Sequence, residues 1–186
     1  MNTTETTKLQ LRFRAPMAVG GQLISYAVGA CSIGELLVAR GARGICAIFL
    51  DDTPEGLRNK LHEAFPDSTA HQRQDSLQDD LDKVRDFIDS ADGAVTLEID
   101  AEGSAFQQRV WKLLREIPVG STLSYSQVAE RLGTPGAARA VASACAANKH
   151  AVVIPCHRVV RGDGSVSGYR WGADRKRRLL LKESGR

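Results

Sequence analysis

Ser124-Tyr-Ser-Gln-Val-Ala-Glu-Arg-Leu-Gly-Thr-Pro-Gly-Ala-Ala-Arg-Ala-Val-Ala-Ser-Ala-Cys-Ala-Ala147 reads as two helices joined by a tight turn. Ser124 and Gln127 form a capping-box pair, each side chain serving the other residue's free N–H, ahead of the apolar Val128, Ala129 and Leu132. Gly133-Thr-Pro-Gly136 is the turn, with Thr134 as N-cap and Pro135 at the first position of the next helix. That helix, Gly136–Ala147, holds seven alanines in twelve residues, and Arg139 is its only charged side chain. Two readings stand side by side. A slim helix with one cation suits a helix-turn-helix approaching a DNA groove, and it equally suits packing against neighbouring helices.

Immediately downstream lies Val152-Val-Ile-Pro-Cys-His-Arg-Val-Val160. The nucleophilic form of cysteine is the thiolate, and nearby cations favour it. His157 and Arg158 are therefore the right neighbours for a reactive Cys156, although a buried structural cysteine beside a surface histidine has the same spelling. Adjacent strand residues point to opposite faces, so Cys156 and His157 can cooperate only in a turn or through a bridging water. Upstream, Ser104 and Gln107 form another capping-box pair. Phe106, Val110, Leu113, Leu114 and Ile117 follow as a helical stripe that stops at Pro118-Val-Gly. A last helix opens near Asp174 and closes near Gly185.

The first half alternates differently. Leu23–Val28, Glu35–Ala39 and Ile45–Leu50 are short apolar runs separated by Gly29-Ala-Cys-Ser and Gly41-Ala-Arg-Gly44, which predicts an antiparallel meander. Thr53 and Pro54 open a helix with Leu57, Leu61 and Ala64 on one face, stopped by Pro66. A second helix spans about Asp75–Ser90 through Leu77, Leu81, Val84 and Ile88, and Ala91-Asp-Gly-Ala breaks it before a strand at Val95–Ile99.

The 186 residues suffice for one or two domains at roughly 100–200 residues each. Hydrophobic residues at 42% and charged residues at 25% indicate a packed core rather than disorder. No apolar run approaches the ~20 residues of a membrane span, and the N-terminus does not read as a secretory signal. Cys31, Cys46, Cys145 and Cys156 form no C-x-x-C pair and no zinc pattern with the four histidines, so free thiols, no metal and a cytoplasmic setting are expected. The net charge of +3 hides a split. Residues 1–100 carry 10 Lys/Arg against 16 Asp/Glu, and residues 101–186 carry 15 against 6. A basic half joined to an acidic one suits an end that meets a polyanion, and it equally suits ordinary solvated charge.

Pro155-Cys-His-Arg158 with Val159-Val160, together with Phe106-Gln-Gln-Arg-Val-Trp111, Ile117-Pro, Ser124-Tyr-Ser-Gln127, Ala138-Arg-Ala-Val141, Ala146-Ala-Asn148 and Gly168-Tyr-Arg-Trp-Gly172, resembles the O6-alkylguanine-DNA alkyltransferases, also called methylated-DNA–protein-cysteine methyltransferases. The resemblance covers about residues 95–186 closely and 20–66 more loosely. Ile24-Ser-Tyr-Ala and Arg43-Gly-Ile-Cys-Ala47 resemble the branch that forms the C-terminal half of the bacterial adaptive-response protein. The family implies an α/β N-terminal ribonuclease-H-like domain and a mostly α C-terminal domain with the helix-turn-helix and an active-site loop. The expected division is a flexible arm at 1–20, the first domain at 21–94 and the second at 95–186.

The resemblance implies an enzyme that acts once. Cys156 accepts the alkyl group from O6-alkylguanine in double-stranded DNA, His157 takes the thiol proton through a water, and Glu183 orients the imidazole. Asn148 fixes the active-site turn. Tyr125 hydrogen-bonds the flipped guanine, while Tyr169 and Val159 contact the base. Arg139 fills the gap in the duplex, with Ala138, Ser124 and Tyr125 also against the DNA. Each role has a structural rival: Tyr125 as core, Asn148 as a helix C-cap, Glu183 as a solvated residue. The implied protein is a monomer at the bacterial nucleoid, without cofactor, metal or membrane attachment. The cysteine cluster of an additional zinc domain is not among these residues, so transcriptional activation is not expected. The alternative is a non-catalytic protein that binds alkylated bases and recruits other repair factors, and Cys156 argues against it.

Overall fold

The computed structural model describes residues 9–16, 21–90, 96–166 and 168–185, and the chain divides into two compact units, 1–101 and 102–186.

In the first unit, strands β1 (Leu9–Arg14), β2 (Leu23–Cys31), β3 (Gly34–Gly41), β4 (Gly44–Asp51), β5 (Thr69–Gln72) and β6 (Leu97–Glu102) form one sheet in the order β1-β6-β4-β3-β2-β5. The predicted meander is present: β2 pairs antiparallel with β3, Cys31 opposite Gly34, and β3 with β4, Gly41 opposite Gly44. The first turn falls later than expected, because Gly29–Cys31 stays in β2. A Cβ at Gly29 would meet a Leu81 methyl carbon at 3.0 Å, so glycine there lets a helix approach the strand. β5 pairs parallel with β2 as an edge strand, and β6 pairs parallel with β4, between it and β1. Leu36–Ala39 and Ile45–Leu50 are buried throughout, as befits central strands covered on both faces.

Helix α1 (Pro54–Ala64) packs on β3 and β4, and α2 (Gln74–Ser90) on β2 and β3. Thr53 caps α1 by accepting the Gly56 N–H at 3.0 Å. The α2 stripe Leu77, Leu81, Val84 and Ile88 is buried as its spacing requires, and the Gln74 side chain clasps both backbone polar groups of Val28.

Two expectations need correction. Residues 1–20 are not simply an arm, because Leu9–Arg14 is a strand beside β6, and Arg14 pairs with the buried Asp100 at 2.9 Å. The division between units falls after residue 101 rather than at 94/95, because β6 belongs to the sheet. The break at 91–94 and the strand start at Val95 lie outside the described residues.

The second unit comprises α3 (Ala105–Leu114), β7 (Leu123–Ser124), α4 (Tyr125–Arg131), α5 (Ala138–Ala147), a 3-10 turn (Cys156–Arg158), β8 (Val159–Val160) and α6 (Ala173–Ser184). Both capping boxes form, at Ser104/Gln107 and Ser124/Gln127. The Trp111 indole donates to Ala144 O at 2.8 Å and ties α3 to α5. α4 and α5 are the expected helix pair, but Thr134 does not cap α5. Gly133 and Gly136 adopt φ of +70° and +89°, so the chain cannot turn helical until after Gly136. Thr134 instead finishes α4, its N–H and hydroxyl both bonding Ala129 O. α5 starts at Ala138 with Ala137 as an N-cap lacking a side-chain bond.

Candidate active site

The site grows from the end of α5. Asn148 terminates that helix and is completely buried. Its amide nitrogen lies 2.9 Å from Ile154 O, 3.2 Å from Cys156 Sγ and 3.3 Å from His150 O, and its Oδ1 accepts the His150 N–H at 2.8 Å. The helix-cap reading holds, and the same side chain reaches the turn that carries Cys156. Ala151–Ile154, although rich in β-formers, is a buried turn and not a strand. Val152 sits at φ +65°, a strained conformation for a β-branched residue, costing on the order of 1–3 kcal/mol that the surrounding bonds must hold. The turn runs into the 3-10 turn that carries Cys156 and His157, so the two do not stand on the opposed faces of a strand.

His157 is fully buried. Its Nε2 lies 2.9 Å from Glu183 Oε1, and its Nδ1 is buried with no hydrogen-bond partner. A carboxylate at Nε2 selects the tautomer with the proton there, which leaves Nδ1 as a bare lone pair. Glu183 is itself held by Arg158, whose Nε and Nη2 meet Oε2 and Oε1 at 2.9 Å each, while Nη1 donates to Ile117 O at 2.7 Å. The Gly120 N–H also reaches Glu183 Oε2, at 3.5 Å.

Charge follows from this packing. Burial pushes the Cys156 thiol up to about 11, against the Asn148 hydrogen bond and the charges of Lys176 and Arg170. The expectation of a thiol lowered by Arg158 is corrected: that guanidinium is tied to Glu183, and desolvation dominates. Burial also lowers His157 below the usual imidazole range, even though Glu183 favours its cation. For Glu183, burial raises the carboxyl, but hydrogen bonds and charge from His157 and Arg158 outweigh it and hold it at about 2. The resting site thus holds a protonated thiol, a neutral imidazole and a carboxylate. Ionising Cys156 at neutral pH costs about 5–6 kcal/mol at ~1.4 kcal/mol per pH unit, so the thiolate exists only where its proton has somewhere to go.

Cys156 opens onto a cavity of about 620 Å³ lined among others by Tyr125, Ala138, Arg139, Cys145 and Tyr169. The Tyr169 hydroxyl is buried without a partner, and its ring meets Trp171 edge-on at 5.0 Å. The expected residues therefore separate. Cys156, Tyr125, Tyr169, Ala138 and Arg139 face one cavity, while Asn148 contacts the thiol and Glu183 contacts His157. Val159 is fully buried, and its carbonyl accepts from Lys176 Nζ. The Ser124 hydroxyl accepts the Gln127 N–H at 3.1 Å as a helix cap. Sequence reasoning missed Lys176, a buried ammonium whose charge acts on both Cys156 and Cys145. The spacing puts Lys176 on one face of α6 with Leu179 and Glu183, and the fold buries all three.

The family model described as "6-O-methylguanine DNA methyltransferase, DNA binding domain" matches residues 105–185. The methylated-DNA–protein-cysteine methyltransferase of Mycobacterium tuberculosis (strain ATCC 25618 / H37Rv) is 39% identical over 128 residues, covering 68% of this chain and 78% of that protein. The chain belongs to the methylated-DNA–protein-cysteine methyltransferase family. The bifunctional transcriptional activator/DNA repair enzyme Ada of Escherichia coli (strain K12) is 49% identical over 161 residues, 87% of this chain and 46% of its own length. The chain thus spans about half the length of the Ada proteins it matches. The M. tuberculosis family member's crystal structure superposes with a TM-score of 0.70 at 33% identity, covering 88% of this chain and 94% of that one. The crystal structure of that M. tuberculosis protein in complex with DNA gives 0.67 at 32% identity, with 87% of this chain and 93% of that one covered.

Proposed function

We propose that this chain transfers a methyl or other alkyl group from O6-alkylguanine in double-stranded DNA irreversibly to Cys156, once per molecule. The observation that carries the reading is the bare Nδ1 of His157, whose ring is held by Glu183, in the same turn as a buried thiol that opens onto a cavity large enough to admit a base. The thiol proton passes to His157 through a bridging water, the Sγ–carbon bond forms, and the carbon–O6 bond breaks. Its electrons stay on the guanine, which finally takes the proton and leaves neutral. Lys176 adds positive potential at Sγ while negative charge develops. The product is a thioether, which has no low-energy return path.

The alkyl carbon lies inside the base stack, so the nucleotide must be extruded, at a few kcal/mol for unstacking. In our reading the α4–α5 pair approaches the minor groove through Ala138 and Ser124, and Arg139 fills the gap. Tyr125, Tyr169 and the Val159 backbone hold the base. The first unit is the ribonuclease-H-like domain of the family, the protein acts as a monomer in the cytoplasm, and the chemistry needs no cofactor. A non-catalytic binder of alkylated bases has no use for a buried thiol beside an oriented base. Intact mass after incubation with O6-methylguanine duplex tests the reading. One added methyl per chain supports it, and unchanged mass with bound DNA favours the binder.

A further inference from the structure

Three arginines line the cavity, and they are not in the same situation. Arg139 belongs to α5 and is exposed. Arg170 is anchored, its Nη1 donating to Ala146 O at 3.0 Å at the end of α5. Arg161 is the third, and nothing in the mechanism above uses it. It is exposed, follows β8 directly, and its guanidinium makes no hydrogen bond or ion pair among the described residues. Its backbone is nevertheless fixed. The Arg161 N–H donates to Ser165 O at 3.0 Å, and Arg161 O accepts from Gly164 N–H at 2.9 Å. Val160, just before it, pairs with Ser124 in the β7–β8 ladder. The side chain is therefore rooted at a set distance from both the nucleophile's turn and the start of α4. The nearest acid in its own turn is Asp163, whose carboxylate accepts the Ser165 N–H at 2.9 Å and feels the Arg161 charge without pairing with it.

A cavity wall that is apolar within and cationic at the rim fits a neutral base arriving on an anionic strand. The base goes in, and its phosphodiester stays at the mouth. A guanidinium presents two parallel N–H donors to phosphate oxygens, which no other side chain matches in geometry. We propose that Arg161 forms a phosphodiester subsite that holds the backbone of the extruded nucleotide itself. This rests on the proposed function, and it assigns Arg161 a task distinct from that of Arg139. Filling a gap in the stack requires a duplex, whereas gripping the nucleotide's own phosphate requires only a strand.

Three substrates separate these tasks: O6-methylguanine in a duplex, in a single-stranded oligonucleotide, and as the free base. Transfer rates are read by intact mass for the wild type, Arg161→Ala, Arg161→Lys and Arg139→Ala. For Arg161→Ala the rate on either oligonucleotide, relative to the free base, falls roughly tenfold, the scale of one charge-assisted contact. The salt slope of oligonucleotide binding also drops by about one. Arg161→Lys recovers part of the loss. Arg139→Ala lowers the duplex ratio and spares the single-strand ratio. The subsite is overturned if Arg161→Ala leaves both ratios intact, lowers only the duplex ratio, or slows the free base as much as the oligonucleotides. If the wild type transfers methyl from none of the three, the functional reading falls and the subsite falls with it.

Discussion

The two units bury different things. Of the buried polar and charged side chains among the described residues, Asp100 lies in unit 1–101, whereas Asn148, His150, His157, Lys176 and Glu183 lie in unit 102–186. The first unit is filled by β3 and β4 aliphatics with Phe49, Leu57 and the α2 stripe. Removing polar groups from water is unfavourable unless every one is bonded, and burying charge is more so. The first unit keeps to that rule, its buried Asp100 being paired with Arg14 at 2.9 Å. The second accepts a polar interior because an oriented base, a screened thiol and a buried cation cannot be assembled from exposed, mobile side chains.

Substitution breaks this contrast most sharply at the thiol. Cys156→Ala should abolish methyl transfer by intact mass while retaining affinity for alkylated duplex. Cys31→Ser and Cys46→Ser in the first unit should transfer as the wild type does.

Next come the two buried carboxylates. Glu183→Ala strands Arg158 and frees His157, so it should destabilise by about 3–5 kcal/mol in denaturant melts and lose most transfer in the molecules that remain folded. Asp100→Ala strands Arg14 and also destabilises, yet the folded fraction should transfer at the normal rate. Equal loss of transfer in both variants would erase the distinction between units.

Two pH profiles sharpen the comparison. Iodoacetamide labelling of Cys156, followed by mass, should rise about tenfold per pH unit from 7 toward 10, because the thiol sits near 11. Glu183 is held below its unfolded value of 4.5, at about 2. Its contribution to stability is therefore complete above about pH 4.5 and is lost as pH falls through 2. Glu183→Gln should flatten that acid limb of the melting profile.

A smaller effect is expected at Arg139, where alanine should slow duplex repair by roughly tenfold and leave the binding of undamaged DNA reduced only slightly, since it removes one of 15 basic residues in residues 101–186. Binding lost in proportion to repair would make it a simple phosphate contact. Smallest of all is Asp79→Ala on the exposed face of α2, whose pair with Lys83 is solvent-facing. Stability should stay within the error of a denaturant melt, with transfer intact.

How much of this was legible beforehand varies by element for physical reasons. The β2–β4 meander and both early helices were readable because apolar spacing and caps such as Thr53–Pro54 act locally. β5 was not, since Thr69–Gln72 is exposed and polar, and only its ladder to β2 makes it a strand. β1 was hidden likewise, being held by pairing at a distance. Thr134 was misassigned because the same residue types cap a helix start or close a preceding one, and the left-handed Gly136 decided between them.

At the site, the sequence by itself determined the chemical inventory: a cysteine beside a histidine, an asparagine at a helix end, a glutamate on the last helix, and a basic half. Those follow from residue identity and from motif order. Tertiary structure alone decided the protonation states, because they depend on what surrounds each group. Arg158 lies two residues after Cys156 in sequence but serves Glu183, whereas Lys176, twenty residues on, and Arg170 are the cations whose charge acts on Sγ. Burial then raises the thiol where its sequence neighbours His157 and Arg158 suggested a lowering, since desolvation grows with the packing of the whole unit and no local spelling records it.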